Sequence, residues 1–253
     1  MSSLHCKLCN AKVDILGHDG SILHERDLLK CRECKVLWRH PLPTKVELEA
    51  FYNAQSYFRY PENVERSLAK DQYQFIKRCL LSEVETFEDF KFNEIGAGNG
   101  LLLEEIKDHG HDATGYEIDE ALVILCKKKG LDVRRQFFNE QEINDLEANR
   151  PCVIIFSHGL KNLADPSQLL RLISSRLKKS YIFIEVPDSH LEQDAIIGNL
   201  SVTDSIQQHL WSLPTSGIDA LARGAEITQF FWSKLVRQTI ILIQCLTERF
   251  INV

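Results

Sequence analysis

Between residues 90 and 187, apolar runs of strand length alternate with segments of helical spacing, and this alternation constrains the fold more than any other feature of the chain. Residues 90–95, 113–117, 152–156 and 181–186 read as strands, and a further strand starts at 131–133. Between them lie a helix over 101–109 closed by Gly110, a second over 119–129 stopped by Gly130, and a third opened by Asp165 as N-cap with Pro166 at its first position. The run 152–156 is apolar throughout, which suits a strand covered on both faces. Strands alternating with helices predict an α/β fold, a Rossmann-like doubly wound parallel sheet.

The loop between the first of these strands and its helix is Gly96-Ala97-Gly98-Asn99-Gly100. In doubly wound folds this turn lies where a nucleotide-like ligand binds, because glycines let the backbone approach it. Glu117 ends the next strand, 21 residues after Gly96, which is about where a carboxylate accepts hydrogen bonds from ribose hydroxyls. A dinucleotide fingerprint would place its third glycine at 101, where this chain has Leu101. The third glycine is instead Gly100, Glu94 precedes the turn, and no Walker lysine follows it.

Four of the eight cysteines form two identical pairs, Cys6-x-x-Cys9 and Cys31-x-x-Cys34, with 21 residues between them. Each Cys-x-x-Cys turn presents two thiolates, and two such turns make the four-sulfur cage that zinc prefers. In a reducing compartment the set reads as a structural zinc site rather than as disulfides. Cys79, Cys126, Cys152 and Cys245 stand alone in apolar patterns and read as small hydrophobes. Residues 1–43 are therefore expected to form a zinc-binding module ended by Pro41-Leu42-Pro43, followed by a helical linker and cap over 44–89. Thr44 with Glu47 three residues later predicts a capping box, with a helix through Val46, Leu48, Ala50 and Phe51. Tyr73, Ile76, Leu80, Val84 and Phe87 keep helical spacing over 70–87.

Composition enters as an exclusion. The 253 residues are 44% hydrophobic and 26% charged, the proportions of an ordinary globular protein. With 30 Lys+Arg against 36 Asp+Glu the formal net charge is −6, which argues against a dedicated nucleic-acid binder. The longest apolar stretch, 235–246, contains Arg237, Gln238 and Thr239 and is too short and too polar for a membrane span, so it reads as a buried strand or helix. The opening residues carry cysteines where a secretory signal has its apolar region, and a cytoplasmic location is expected.

Glu94-Ile-Gly-Ala-Gly-Asn-Gly100 followed by Tyr116-Glu117 resembles the first two motifs of class I S-adenosylmethionine-dependent methyltransferases. Residues 154–158, 163–166 and 182–188 resemble the family's fourth and fifth strands, and 209–213 with 220–224 its segment before the last strands. The double Cys-x-x-Cys with Trp38-Arg-His-Pro-Leu-Pro43 and Phe51-Tyr52 is similar to the zinc-binding front of a subgroup that includes C-methyltransferases of deoxysugar nucleotides. The resemblance implies that residues 90–253 are the S-adenosylmethionine-binding methyltransferase domain. It places Glu94 at the methionine end of the cofactor, Gly96, Ala97, Gly98 and Gly100 around the methionine moiety, and Glu117 on the ribose. It further implies that Gln136 and Phe137 flank the adenine and that Ser157 and His158 close the site. The implied partner is a small-molecule acceptor, a sugar, nucleotide sugar or related intermediate.

Three departures stand out. Lys161-Asn162 replaces the Glu-His pair that related proteins carry beside the acceptor, which removes the usual general base and leaves His209 first and His158 second as candidates. Lys178-Lys179-Ser180 stands where a Gly-Gly turn is usual, and 226–253 gives no clear antiparallel hairpin. Besides a small-molecule methyltransferase, the readings are a degenerate binding module without turnover and a protein or RNA methyltransferase whose zinc module docks the target.

Overall fold

The computed structural model describes residues 4–19, 26–54, 61–146, 150–177, 179–187, 189, 193, 209–227, 229–235 and 238–246. The chain begins with β1 (Val13–Asp19), β2 (Arg26–Cys31) and β3 (Leu37–His40), then α1 (Lys45–Ala54) and α2 (Glu62–Glu83). Alternation follows: β4 (Lys91–Ile95), α3 (Leu101–Asp108), β5 (Asp112–Glu117), α4 (Glu120–Lys128), β6 (Val133–Arg135), α5 (Glu140–Asp145) and β7 (Cys152–Ser157). A 3-10 turn at Leu160–Asn162 leads to α6 (Pro166–Arg176) and β8 (Lys179–Pro187), and β9 (Trp211–Ser212), α7 (Thr215–Gly224), β10 (Gln229–Leu235) and β11 (Gln238–Leu246) complete the described elements.

These strands make two sheets. The larger has the order β10-β11-β8-β7-β4-β5-β6, with five parallel strands from β8 to β6. It is the expected doubly wound α/β architecture. The local signals behind it hold: Asp165 accepts from Gln168 N to cap α6, and Gly110 and Gly130 take left-handed φ values where α3 and α4 stop. Asp119, expected inside its helix, is instead the cap of α4 and accepts from the Ala121 and Leu122 amides. Strand β7 is the centre, with Val153, Ile154, Ile155 and Phe156 all at 0% exposure.

Two expectations are corrected. The C-terminal residues do provide a hairpin, because β10 pairs with β11 antiparallel and β11 pairs with β8 antiparallel from Gln238↔Pro187 to Leu246↔Lys179. Gln238 lies opposite Leu235 across the reversal, so polar residues that interrupt one apolar run instead open a second strand. Helix α2 starts at Glu62, eight residues earlier than its apolar spacing begins, and ends at Glu83. Its first turns carry polar pairs such as Glu62–Arg66, and Val84 is extended at φ −135°, so Phe87 is buried from outside the helix.

The smaller sheet has the order β1-β2-β3-β9. Thr44 and Glu47 form the expected capping box at the start of α1, with Thr44 N donating to Glu47 and Glu47 N to Thr44 Oγ1. The smaller sheet takes its fourth strand from residues 211–212, and Trp38 stacks on Trp211 at 5.9 Å between ring centroids. One buried apolar cluster runs from Leu29 and Trp38 through Trp211 and Ile218 to Ile154 and Phe156, so the two sheets share a core. No helix among the described residues is long and apolar enough to cross a membrane.

Candidate active site

After β4 the chain builds β5 and β6 on one side and then returns to build β7 and β8 on the other. At such a reversal the carboxyl ends of neighbouring strands diverge and leave a crevice. A cavity of about 340 Å³ opens there. Its wall takes Gly96 and Gly98 from the turn after β4, Glu117 from the end of β5, Gln136 and Phe137 from beyond β6, and Ser157 and His158 from the end of β7. Glu94, Ala97, Gly100 and His209 are not among the lining residues.

Each of those four has a different placement. Ala97 packs with Leu103, Val123 and Cys126. Gly100 caps α3 at φ 75°, and a Cβ there would stand 2.6 Å from Leu131 Cδ1 and 2.8 Å from Cys126 Sγ, so its smallness lets the turn pack against α4 and the loop after it. His209 precedes β9, where its carbonyl accepts from the Arg39 guanidinium. Glu94 is 4% exposed within β4, and its Oε2 has no hydrogen-bond partner among the described residues. Burial, then the nearby Glu117 and Glu185 carboxylates, hold the Glu94 carboxyl well above the usual carboxylate range.

Glu117 organises the glycine turn as well as facing the cavity. Oε2 accepts from Gly98 N at 2.9 Å, and Oε1 accepts from the Ile118 and Asp119 amides at 2.7 and 2.9 Å. A carboxylate has about four lone-pair sites, so about one stays available, on Oε2. Burial raises its pKa, and the three amides oppose that rise. Gln136 donates to Glu142 Oε1 at 2.9 Å, and Lys45 Nζ sits 5.5 Å over the Phe137 ring.

Ser157 and His158 are backed by a buried polar cluster. Glu185, 1% exposed in β8, accepts on Oε2 from Ser157 Oγ at 3.0 Å and from Gln72 Nε2. Gln72 also donates to Ser157 Oγ at 2.8 Å. His158 sits at φ 57°, donates its amide to Glu185 O at 2.9 Å, and places Nε2 4.0 Å from Glu185 Oε2. Burial first, then the charges of Lys161 and His209, hold the imidazole pKa well below its usual value.

Several site residues escaped the sequence reading. Gly159 is forced by contact, since a Cβ there would lie 2.4 Å from Ile95 O where the chain after β7 crosses the end of β4. Tyr52 of α1 and Glu65 of α2 reach the cavity, and Glu65 accepts from Asn99 in the glycine turn. Asn162, which the sequence resemblance did set beside the acceptor, lines the cavity, its side-chain amide nitrogen donating to His158 O at 3.4 Å. The motif Ser157-His158-Gly159 carried a signal for Gly159; nothing local marks Glu65 or Gln72.

In the N-terminal region the Sγ atoms of Cys6, Cys9, Cys31 and Cys34 all lie within 4.8 Å of one another. The Cys6–Cys34 and Cys9–Cys31 separations are 3.6 and 3.4 Å. A zinc tetrahedron with Zn–S near 2.3 Å has edges of roughly 3.8 Å, so the donor set fits the metal in chemistry and size. Leu8 N and Glu33 N each donate to the first sulfur of their pair at 3.4 Å. Asn10 and Lys35, each directly after a second cysteine, share φ values of 61° and 60°. The two turns are copies of one shape.

A parallel sheet in the order β8-β7-β4-β5-β6, edged by an antiparallel pair and carrying a glycine turn and an acid at its reversal point, defines the class I S-adenosylmethionine-dependent methyltransferase. The chain belongs to the methyltransferase domain family, whose model matches residues 62–228. That match takes in α2. Among solved structures the chain is similar to the plantazolicin methyltransferase BpumL in complex with a monoazolic desmethylPZN analogue and SAH, at 14% identity and TM-score 0.54, covering 81% of this chain and 91% of that one. It is also similar to magnesium protoporphyrin IX methyltransferase from Synechocystis PCC 6803 with bound SAH (11% identity, TM-score 0.51, 80% and 95% covered). A third likeness is to a methyltransferase from Thermotoga maritima described as a possible histamine N-methyltransferase (17%, 0.50, 72% and 90%). No curated protein matches the chain.

Proposed function

We propose that the chain transfers a methyl group from S-adenosylmethionine to a small-molecule acceptor of sugar type, and that its four paired cysteines hold one structural zinc ion. The observation that carries the reading is the cavity at the strand reversal, with an acid and a histidine in its lining. The residues present fit the cofactor: Gly98 has no atom within 4 Å of a built Cβ, and Glu94 Oε2 is a buried carboxyl oxygen without a partner. Glu94 and Glu117, both held above the usual carboxylate range chiefly by burial, suit a ligand that brings positive charge. When bound, S-adenosylmethionine supplies a methyl group on a sulfonium, whose bonding pair leaves with the thioether.

Gly96 and Gly98 shape the methionine end together with Glu94, and Ala97 and Gly100 hold that turn against α4. Glu117 takes a ribose hydroxyl at its remaining site, and Gln136 and Phe137 flank the adenine. Positioning is much of the catalysis in such an in-line displacement. Of the two histidines, His158 lines the cavity, so it is assigned the acceptor proton. Its neutral form, favoured by burial, is the form able to take one. The sugar-type acceptor rests on the likeness of the cysteine pairs and Trp38–Pro43 segment to the sugar-methylating subgroup. Four thiolates close the metal's coordination, so zinc serves folding rather than chemistry.

Calorimetry with S-adenosylhomocysteine tests the cofactor assignment. Glu117→Gln keeps the shape of the side chain and removes its charge. Losing one charge-assisted bond, roughly 1.5–3 kcal/mol, lowers affinity about tenfold or more. Unchanged affinity, with an unchanged melting temperature, would refute the ribose role. Product formation with nucleotide sugars then separates turnover from a binding module that holds the cofactor alone, and methylation of protein or RNA instead would move the acceptor to a macromolecule.

A further inference from the structure

We infer that Glu185 and His158 together rebuild the carboxylate–imidazole pair that the chain lacks at positions 161 and 162, with Glu185 as the positioning residue. The inference rests on the methyl-transfer reading and adds a residue to it. The family resemblance implies an acid and a histidine at 161 and 162; this chain has Lys161 and Asn162 there, so that pair cannot form at those positions. The same two groups meet one strand over. His158 directly follows β7 and Glu185 lies two residues before the end of β8, neighbouring parallel strands whose register brings Ser157 opposite Glu185. The His158 amide donates to the Glu185 carbonyl at 2.9 Å, which fixes the two backbones together. The side chains stand 4.0 Å apart, Nε2 to Oε2.

Glu185 is held from two further elements, Gln72 of α2 and Ser157 of β7 both donating to its Oε2. A carboxylate so anchored cannot swing to follow the imidazole; the imidazole must come to it. His158 has a left-handed backbone, a conformation that a non-glycine residue holds only when its surroundings impose it and that gathers at functional sites. The ring lines the cavity while Glu185 is buried, so the first can meet an acceptor and the second cannot.

The charges around the pair are ordered to match. Lys161, on the 3-10 turn, and His209, ahead of β9, both disfavour a charged His158, after burial. Lys161 with the Gln72 and Ser157 hydrogen bonds favours the ionised Glu185 against burial. Glu94, on β4, is the other acid within electrostatic reach of Glu185. Burial leaves the Glu185 carboxyl above its usual range, and Lys161 offsets a part of that rise while adding to the burial that keeps the resting imidazole neutral. As the acceptor is methylated, its O–H bond (or the C–H bond of an activated carbon) gives the proton to a ring nitrogen of His158 and its electron pair to the acceptor atom. The imidazolium then faces the Glu185 carboxylate. A separation of 4.0 Å is too long for a hydrogen bond, and catalytic contacts commonly tighten only in the complex.

The test uses the full chain and Glu185→Gln, with three readouts. Histidine-labelled NMR, with His158 assigned from the signal missing in His158→Gln, follows its titration without any acceptor. The proposal expects the His158 titration to move to lower pH in Glu185→Gln, because the anion that stabilises the imidazolium is gone. S-adenosylhomocysteine affinity stays at the parent value. On an acceptor that the parent methylates, kcat falls by roughly ten- to hundredfold with KM held, as for supporting partners of a functional imidazole. The acid limb of the rate profile follows the NMR shift, and adding Glu185→Gln to His158→Gln costs nothing more. A merely structural Glu185 would lower the melting temperature and leave both the titration and the acid limb in place. An unmoved His158 titration overturns the pair whether or not the chain methylates anything, and Ser157→Ala, which loosens Glu185 while keeping its charge, supplies the same readout if Glu185→Gln does not fold. Failure of the methyl-transfer reading looks different: the parent itself makes no product.

Discussion

The four-cysteine sheet and the seven-stranded sheet meet the same requirement, burying enough apolar surface to stay folded, by opposite means. The large sheet does it with length, sandwiching β7 between helices so that four consecutive side chains reach 0% exposure. The small sheet has too few residues for that. It gathers four sulfurs from the turns before β1 and at the end of β2, and takes β9 from more than 170 positions further along the chain. Its links to the larger region are specific: Arg39 donates to the His209 carbonyl, Ser216 Oγ donates to Cys34 O at 2.8 Å, and Trp211 Nε1 donates to Leu163 O at 2.8 Å. Leu210 N donates to Lys161 O at 3.1 Å, so the borrowed strand is tied to the turn beside the cavity. A region that looks like an appendage along the sequence is in space a brace on one wall of the site.

The comparison can be broken at the metal. Structural zinc contributes roughly 10–16 kcal/mol in small modules, so removing it is the largest perturbation expected. The purified chain should carry one zinc per molecule. Chelation or Cys31→Ser should abolish amide-exchange protection in β1–β3 and across 209–213 while β4, β5 and β7 keep theirs. Absence of zinc by elemental analysis, or loss of protection everywhere at once, would end the contrast between the two regions.

The seam itself offers a sharper probe. Trp211 is 1% exposed and bridges both sheets, so Trp211→Ala should destabilise by about 3–5 kcal/mol. Denaturant unfolding should then separate into two transitions, the small sheet melting first. A single transition at the parent's midpoint would show that the seam carries no coupling.

The smallest effect belongs to the large sheet alone. Folding raises the Glu94 pKa, chiefly by burial, so the stability it contributes is present below the ordinary carboxylate pKa and is lost as pH rises toward the folded value. Glu94→Gln removes that dependence. Relative to the parent, the variant should gain stability as pH increases above about 4.5, with a slope of at most about 1.4 kcal/mol per pH unit. Melting curves from pH 4.5 to 8 measure the slope; parallel curves would show that Glu94 is ionised in the folded chain as it is in the unfolded one.

What the sequence determined by itself was local or periodic. The strand–helix order over 90–187, the caps at Thr44 and Asp165, the left-handed stops at Gly110 and Gly130 and the two cysteine turns each depend on residues within a few positions of one another. The glycine turn and Glu117 were legible too, because their spacing is set by one strand, one helix and one more strand. What only the tertiary structure decided joins residues far apart. Gly159 is needed because the backbone after β7 passes Ile95 O, Gln72 matters because α2 lies against the ends of β7 and β8, and β11 pairs with β8 although no turn connects them. The reversal of the sheet makes the same division. Periodicity says that strands alternate with helices, but which strand lies beside which is settled by packing across the whole core, and that choice places His158 next to Glu185.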